Sequence, residues 1–147
     1  MRVCFQGEAC PESPSLYVLP ELSCSDMAHS LGGLFHIPHG LANAVLLPSV
    51  LHFNSFDAGV KYREIAEMIG LNAPTVEEGT RNLISAVRDL NAAMKIPSRV
   101  RELKINEEEY RASLDSMAAN AMEDICTRSN PRMPSHDDIV TLLEQAW

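Results

Sequence analysis

At Thr75 and Glu78, Asn106 and Glu109, and Ser135 and Asp138, a Thr, Asn or Ser is followed three positions later by a carboxylate. Each pair stands just ahead of apolar residues at helical spacing, which is the arrangement that caps the free N–H groups of a helix start. Leu83, Val87, Leu90 and Met94 follow the first, Tyr110, Leu114, Met117, Met122 and Ile125 the second, and Ile139, Leu142, Leu143 and Ala146 the third. No strand-like alternation runs through the chain beyond Asp26, so the pattern constrains the fold to the all-α class.

Further helices are expected upstream. One covers Asp26 to about Leu34, and His36-Ile37-Pro38 turns the chain because a residue before proline is pushed out of the helical region. A second runs from Pro38 through Phe53 with a kink at Pro48, and a third from Ala58 to Ile69, where Tyr62, Ile65, Met68 and Ile69 share a face and Gly70 supplies the stop. The helix capped at Thr75 should reach Met94. The one capped at Asn106 allows two consecutive helices with a joint near Ser113. The sum is a bundle of about six helices over residues 26–147.

Residues 1–25 differ in character. Pro11, Pro14, Pro20 and several serines interrupt any period, which predicts an irregular tail in which only Leu16-Tyr17-Val18-Leu19 is suited to a short strand.

With 147 residues, 46% of them hydrophobic, the chain can bury one ordinary core. A net charge of -8 leaves no basic face for nucleic acid or an anionic membrane surface. The longest apolar stretch, Leu41 to Leu51, is broken by Asn43, Pro48 and Ser49, far short of the ~20 residues that cross a bilayer. The start lacks the apolar core of an export signal, so a cytoplasmic location is expected. Cys4, Cys10, Cys24 and Cys126 form no Cys-x-x-Cys pair and are expected as free thiols.

Chemistry concentrates at His29, His36 and His39, three imidazoles within eleven positions, interleaved with Gly32, Gly33 and Gly40. A turn between helices can aim several imidazoles at one centre where glycines let backbones approach, although histidines at helix ends also simply bond backbone carbonyls. With no carboxylate or thiolate beside them, the trio does not close a metal site by itself. His52 and His136 read as surface or cap residues, and the acidic runs at 107–109 and 137–138 as helix-start charges. No glycine-rich phosphate loop is present, so no cofactor-binding residue is assigned.

The segment Met27-Ala28-His29-Ser30-Leu31-Gly32-Gly33, followed by Phe35-His36-Ile37-Pro38-His39-Gly40-Leu41-Ala42-Asn43-Ala44, resembles the signature of iron-containing alcohol dehydrogenases, including the alcohol dehydrogenase half of bifunctional aldehyde-alcohol dehydrogenases. Lys61 to Ala66, Asp124 to Arg132 and the Ala146-Trp147 ending are similar to the family's later motifs, in the same order. The resemblance implies the C-terminal helical domain of the dehydroquinate synthase-like fold. In the complete enzyme it implies reversible oxidation of a primary alcohol to an aldehyde, with NAD or NADP and an iron, or sometimes zinc, ion.

The resemblance also assigns residues. His39, in the Pro-His-Gly motif, corresponds to one of the family's four metal ligands, and His29 to a histidine lining the active site beside the metal, suited to proton transfer. A second ligand position, four before His29, holds Ser25, and the other two lie upstream of the similar region. Residues 1–25 do not resemble the family, the pattern expected of a shifted frame or a start inside a damaged gene; an intact upstream frame would remove that expectation. The chain alone is therefore expected to be inactive. The alternative is a non-enzymatic helical domain, homo-oligomeric or paired with a chain carrying the nucleotide-binding half.

Overall fold

The computed structural model describes residues 24–123 and 130–147. Among these there are five α-helices and no strand: α1 (Cys24–Phe35), α2 (His39–Met68), α3 (Val76–Ala93), α4 (Glu107–Glu123) and α5 (His136–Ala146), with a 3-10 turn at Val100–Leu103. The expected strand at Leu16 to Leu19, the thiols of Cys4, Cys10 and Cys126, and most of the motif from Asp124 lie outside the described residues.

The helix starts follow the capping chemistry. The Thr75 side chain accepts from the Glu78 N–H at 3.1 Å, and the Asn106 side-chain oxygen Oδ1 accepts from the N–H groups of Glu108 and Glu109. At α5 the box is reciprocal, Ser135 accepting from the Asp138 N–H while the Asp138 carboxylate accepts from the Ser135 N–H. These bonds hold the Asp138 carboxyl below its ordinary range.

The expected break between Phe53 and Ala58 is not there: α2 is one helix of 30 residues. Asn54-Ser55-Phe56-Asp57 contains no proline or glycine, and Asn54 is fully buried, its amide exchanging two hydrogen bonds with that of Asn130 at 2.9 and 2.8 Å. A locally polar stretch is thus helical because its inward member has a partner 76 positions away. The joint near Ser113 is also absent; the Ser113 hydroxyl donates back to the Glu109 carbonyl, and α4 continues.

Pro48 sits inside α2 without ending it. A proline has no N–H, so the carbonyl four residues earlier, that of Ala44, loses its helical partner. Asn91 of α3 donates its side-chain amide to that oxygen at 2.7 Å. One inter-helix bond therefore satisfies the group that the proline orphans.

Two apolar cores share α2. The N-terminal half packs with α1, α4 and α5 around Met27, Leu31, Leu46, Met117, Ile139 and Leu143; Tyr110 donates its hydroxyl to the Leu143 carbonyl and stacks on Trp147. The C-terminal half packs with α3 through Leu51, Ala58, Tyr62, Ala66, Leu83 and Ile84. Here the helices approach closely at Gly79, where an added Cβ would lie 2.9 Å from the Arg63 backbone. The inward face of this half is Ala58, Tyr62 and Ala66; Met68 and Ile69, expected to share it, are exposed. On α3 the expected stripe is buried only at its start, for Leu90 and Met94 face outward.

Candidate functional site

The turn His36-Ile37-Pro38 folds α2 back on α1. His36 takes a left-handed backbone, φ 55°, to make that reversal, and Gly32 lets the turn close, since a Cβ there would stand 3.0 Å from the Ile37 carbonyl oxygen. Gly33 and Gly40 have open space around them, so the close-approach role expected for all three glycines belongs to Gly32 alone.

Two of the three clustered histidines come together. The rings of His29 on α1 and His39 at the start of α2 stack with centroids 4.6 Å apart and planes 18° from parallel. Both residues are exposed. His36 is not part of the stack, and among the described residues no three His, Cys, Asp or Glu side chains gather in a metal-holding group. An independent metal site built from the histidine trio is therefore not formed.

The pair is framed by residues the sequence did not mark. Asn43, one turn beyond His39, places its amide nitrogen 2.9 Å from His39 Nε2 and 3.1 Å from the His39 carbonyl. An amide N–H can only donate, so this contact is a hydrogen bond in the tautomer whose Nε2 accepts. Asn43 is anchored in turn, its backbone carbonyl accepting from the buried Cys24 thiol at 3.3 Å. Burial, and then the charge of Asp26, push that thiol up to about 12, so it stays protonated. The i, i+4 spacing of His39 and Asn43 was the available signal.

Beside His29, a depression of about 300 Å³ opens between α1 and α4, lined by Asp26, Ser30, Gly33, Leu34 and Asn120. Asp26 is buried one turn before His29, and Ser30 donates to the Met117 carbonyl at 3.3 Å. The site is thus two exposed imidazoles beside a shallow, polar hollow. A larger cleft of about 760 Å³ lies elsewhere, between α2, α3 and the end of α5, and His52 lines it. Size alone favours that cleft, but the clustered nitrogen donors stand at the smaller hollow.

The metal implied by the signature is not fully held by the described residues. No third donor joins the two imidazoles among the described residues, so any metal there would need ligands from outside them. His136 stands apart in the first turn of α5, with Nε2 3.3 Å from the Asp115 carbonyl oxygen.

Comparison with known proteins supplies the wider frame. The family described as Fe-containing alcohol dehydrogenase, C-terminal, matches residues 22–147. The NADPH-dependent butanol dehydrogenase of Clostridium saccharobutylicum is 42% identical over 121 residues, covering 82% of this chain and 31% of that protein. The lactaldehyde reductase of Escherichia coli is 39% identical over 123 residues, with the same two coverages. In three dimensions the chain is similar to a 1,3-propanediol oxidoreductase, with a TM-score of 0.78 and 34% identity over 85% of this chain and 32% of the other. An iron-containing alcohol dehydrogenase of Thermococcus thioreducens gives a TM-score of 0.74 and 31% identity, over 84% and 31%. The chain spans about a third of the length of the first two relatives.

Proposed function

The chain belongs to the Fe-containing alcohol dehydrogenase family, matching its C-terminal region, and on that premise we propose that it supplies the helical, metal-facing side of an NAD(P)-dependent alcohol dehydrogenase. The complete enzyme oxidises a primary alcohol to an aldehyde and reverses the reaction, hydride passing to NAD or NADP. The observation that carries this reading is the juxtaposition of His29 and His39, 4.6 Å apart at the corner of α1 and α2. In that complete enzyme His39 would be one ligand of the metal, and His29 would line the reacting centre and carry a proton. The 147 residues alone are inactive, because one assigned ligand does not hold a metal and the others are not there to orient it.

The test joins residues 24–147 to the remainder of the butanol dehydrogenase it resembles, with Ser25 kept or changed to His. NAD and NADP reduction by butanol is then followed in both chimeras and in the chain alone. The Ser25→His chimera is expected to turn over, its His39→Ala variant to lose activity, and the isolated chain to show none. A folded Ser25→His chimera without turnover overturns the assignment, and turnover by the isolated chain overturns its inactivity.

A second reading is a non-enzymatic helical domain that pairs with another chain, favoured by the wide exposure of Phe56 and Val60, 81% and 61%. A clean monomer by light scattering counts against it.

A further inference from the structure

The ring of His39 is held by two contacts made from different sides. The His29 ring, on α1, lies against its face, with planes 18° from parallel. The Asn43 amide nitrogen, one turn further along α2, reaches its edge at Nε2, 2.9 Å away. Pro38, ahead of this first residue of α2, offers no side-chain bond to cap the helix. The face contact sets the plane of the ring, and the edge contact sets which nitrogen turns towards the helix.

A further contact settles which way the Asn43 amide points. Its nitrogen also lies 3.1 Å from the His39 carbonyl oxygen, which can only accept, so the nitrogen and not the side-chain oxygen belongs there. The group facing Nε2 is therefore a donor. It meets a lone pair when the ring proton is on Nδ1, and a second N–H when Nε2 carries a proton. A net hydrogen bond of this kind weights the two neutral forms by about two- to tenfold, before the crowding of two donors in the other form is counted. The backbone that carries the amide is fastened in turn: the Asn43 carbonyl accepts from the thiol of Cys24, 3% exposed at the head of α1.

We propose that Asn43 is the positioning residue of His39, selecting the tautomer with its proton on Nδ1 and keeping Nε2 as the lone-pair nitrogen. What this does for the enzyme rests on the reading of His39 as a metal ligand in the complete protein. A ligating imidazole is neutral and offers a lone pair from one nitrogen, and the hydrogen bond at the other nitrogen sets which one that is in most such sites. Here the selection is made at the lone pair itself. No proton has to change ring nitrogens when Nε2 is taken up; only the Asn43 bond, exposed and of modest strength, is given up.

Nitrogen NMR of the 147-residue chain, kept metal-free with chelator, tests the proposal. Long-range 1H–15N correlation at about pH 8.5, where an ordinary imidazole is neutral, separates N–H nitrogens from lone-pair nitrogens, and the signals lost in His39→Gln assign the ring. His39 should show its lone pair at Nε2 and its N–H at Nδ1. Asn43→Asp places only acceptor oxygens in the same volume and should reverse that pattern, while Asn43→Ala should move it towards a mixture of the two forms. A role confined to packing α2 would leave the tautomer alike in all three chains, each checked for its helical circular dichroism. A wild-type ring with its proton on Nε2 overturns the proposal without any variant, and so does a tautomer that neither substitution moves. No metal or chimera enters the measurement, so a Ser25→His chimera without turnover would leave this result standing, and an overturned tautomer would leave the catalytic reading standing.

Discussion

Single residues here act mainly through burial. The Cys24 thiol is raised from an ordinary 9.0 to about 12, by desolvation first and then by Asp26. The Tyr62 phenol is raised from 10.0 to about 12 by desolvation, slightly offset by Asn54. Both folded-state values lie above the unfolded ones, so their contribution to stability is complete below about pH 9 and is lost as pH rises towards about 12, where the unfolded chain binds fewer protons. Denaturant midpoints should therefore hold near pH 8 and fall by about pH 11, a loss on the order of a few kcal/mol; Tyr62→Phe should flatten part of the slope. Equal midpoints at both pH values would refute this. The candidate site was partly legible at the same scale. Sequence marked His29 and His39, but it also marked His36, Gly33 and Gly40, which the turn leaves apart. Asn43 escaped notice because an asparagine one turn after a histidine becomes meaningful only once the ring and the amide meet.

Among the elements, α2 shows how a local breaker and a local polar stretch are both overridden. Pro48 leaves the Ala44 carbonyl without a helical donor, and Asn91 supplies one. Asn91→Ala should cost about 1–3 kcal/mol, since a half-buried carbonyl is left unmet. In a Pro48→Ala background the alanine N–H recovers the i to i−4 bond, and the same substitution should cost clearly less. Chemical denaturation of the four proteins of this double-mutant cycle measures the coupling, and strictly additive costs would show that the two groups do not compensate one another. Helix starts at Thr75, Asn106 and Ser135 were legible because capping is a short-range bond within three residues. The continuity of α2 through Asn54 was not, because it depends on Asn130. The 3-10 turn at Val100–Leu103 likewise carries no periodic signal, and buried Val100 fixes it through the core.

At the scale of the whole molecule, the described helices pack through apolar side chains. Its two cores are apolar, and among the described residues no cluster of donors links the helices. Chelator, Zn2+ or anaerobic Fe2+ should therefore leave the thermal midpoint of the isolated chain within about 1 °C, whereas a tightly bound ion would raise it through linkage. A saturable upward shift of several degrees would refute this. The sequence by itself determined the all-α class, the positions of the capped helix starts and the family signature, because these depend on periods, short-range bonds and residue identity. Only the tertiary structure decided that α2 runs unbroken through Asn54, that His29 and His39 stack while His36 stands aside, and that α3 turns Leu90 and Met94 outward. Those outcomes depend on which distant group satisfies a buried amide or an apolar face, and such partners have no fixed spacing along the chain.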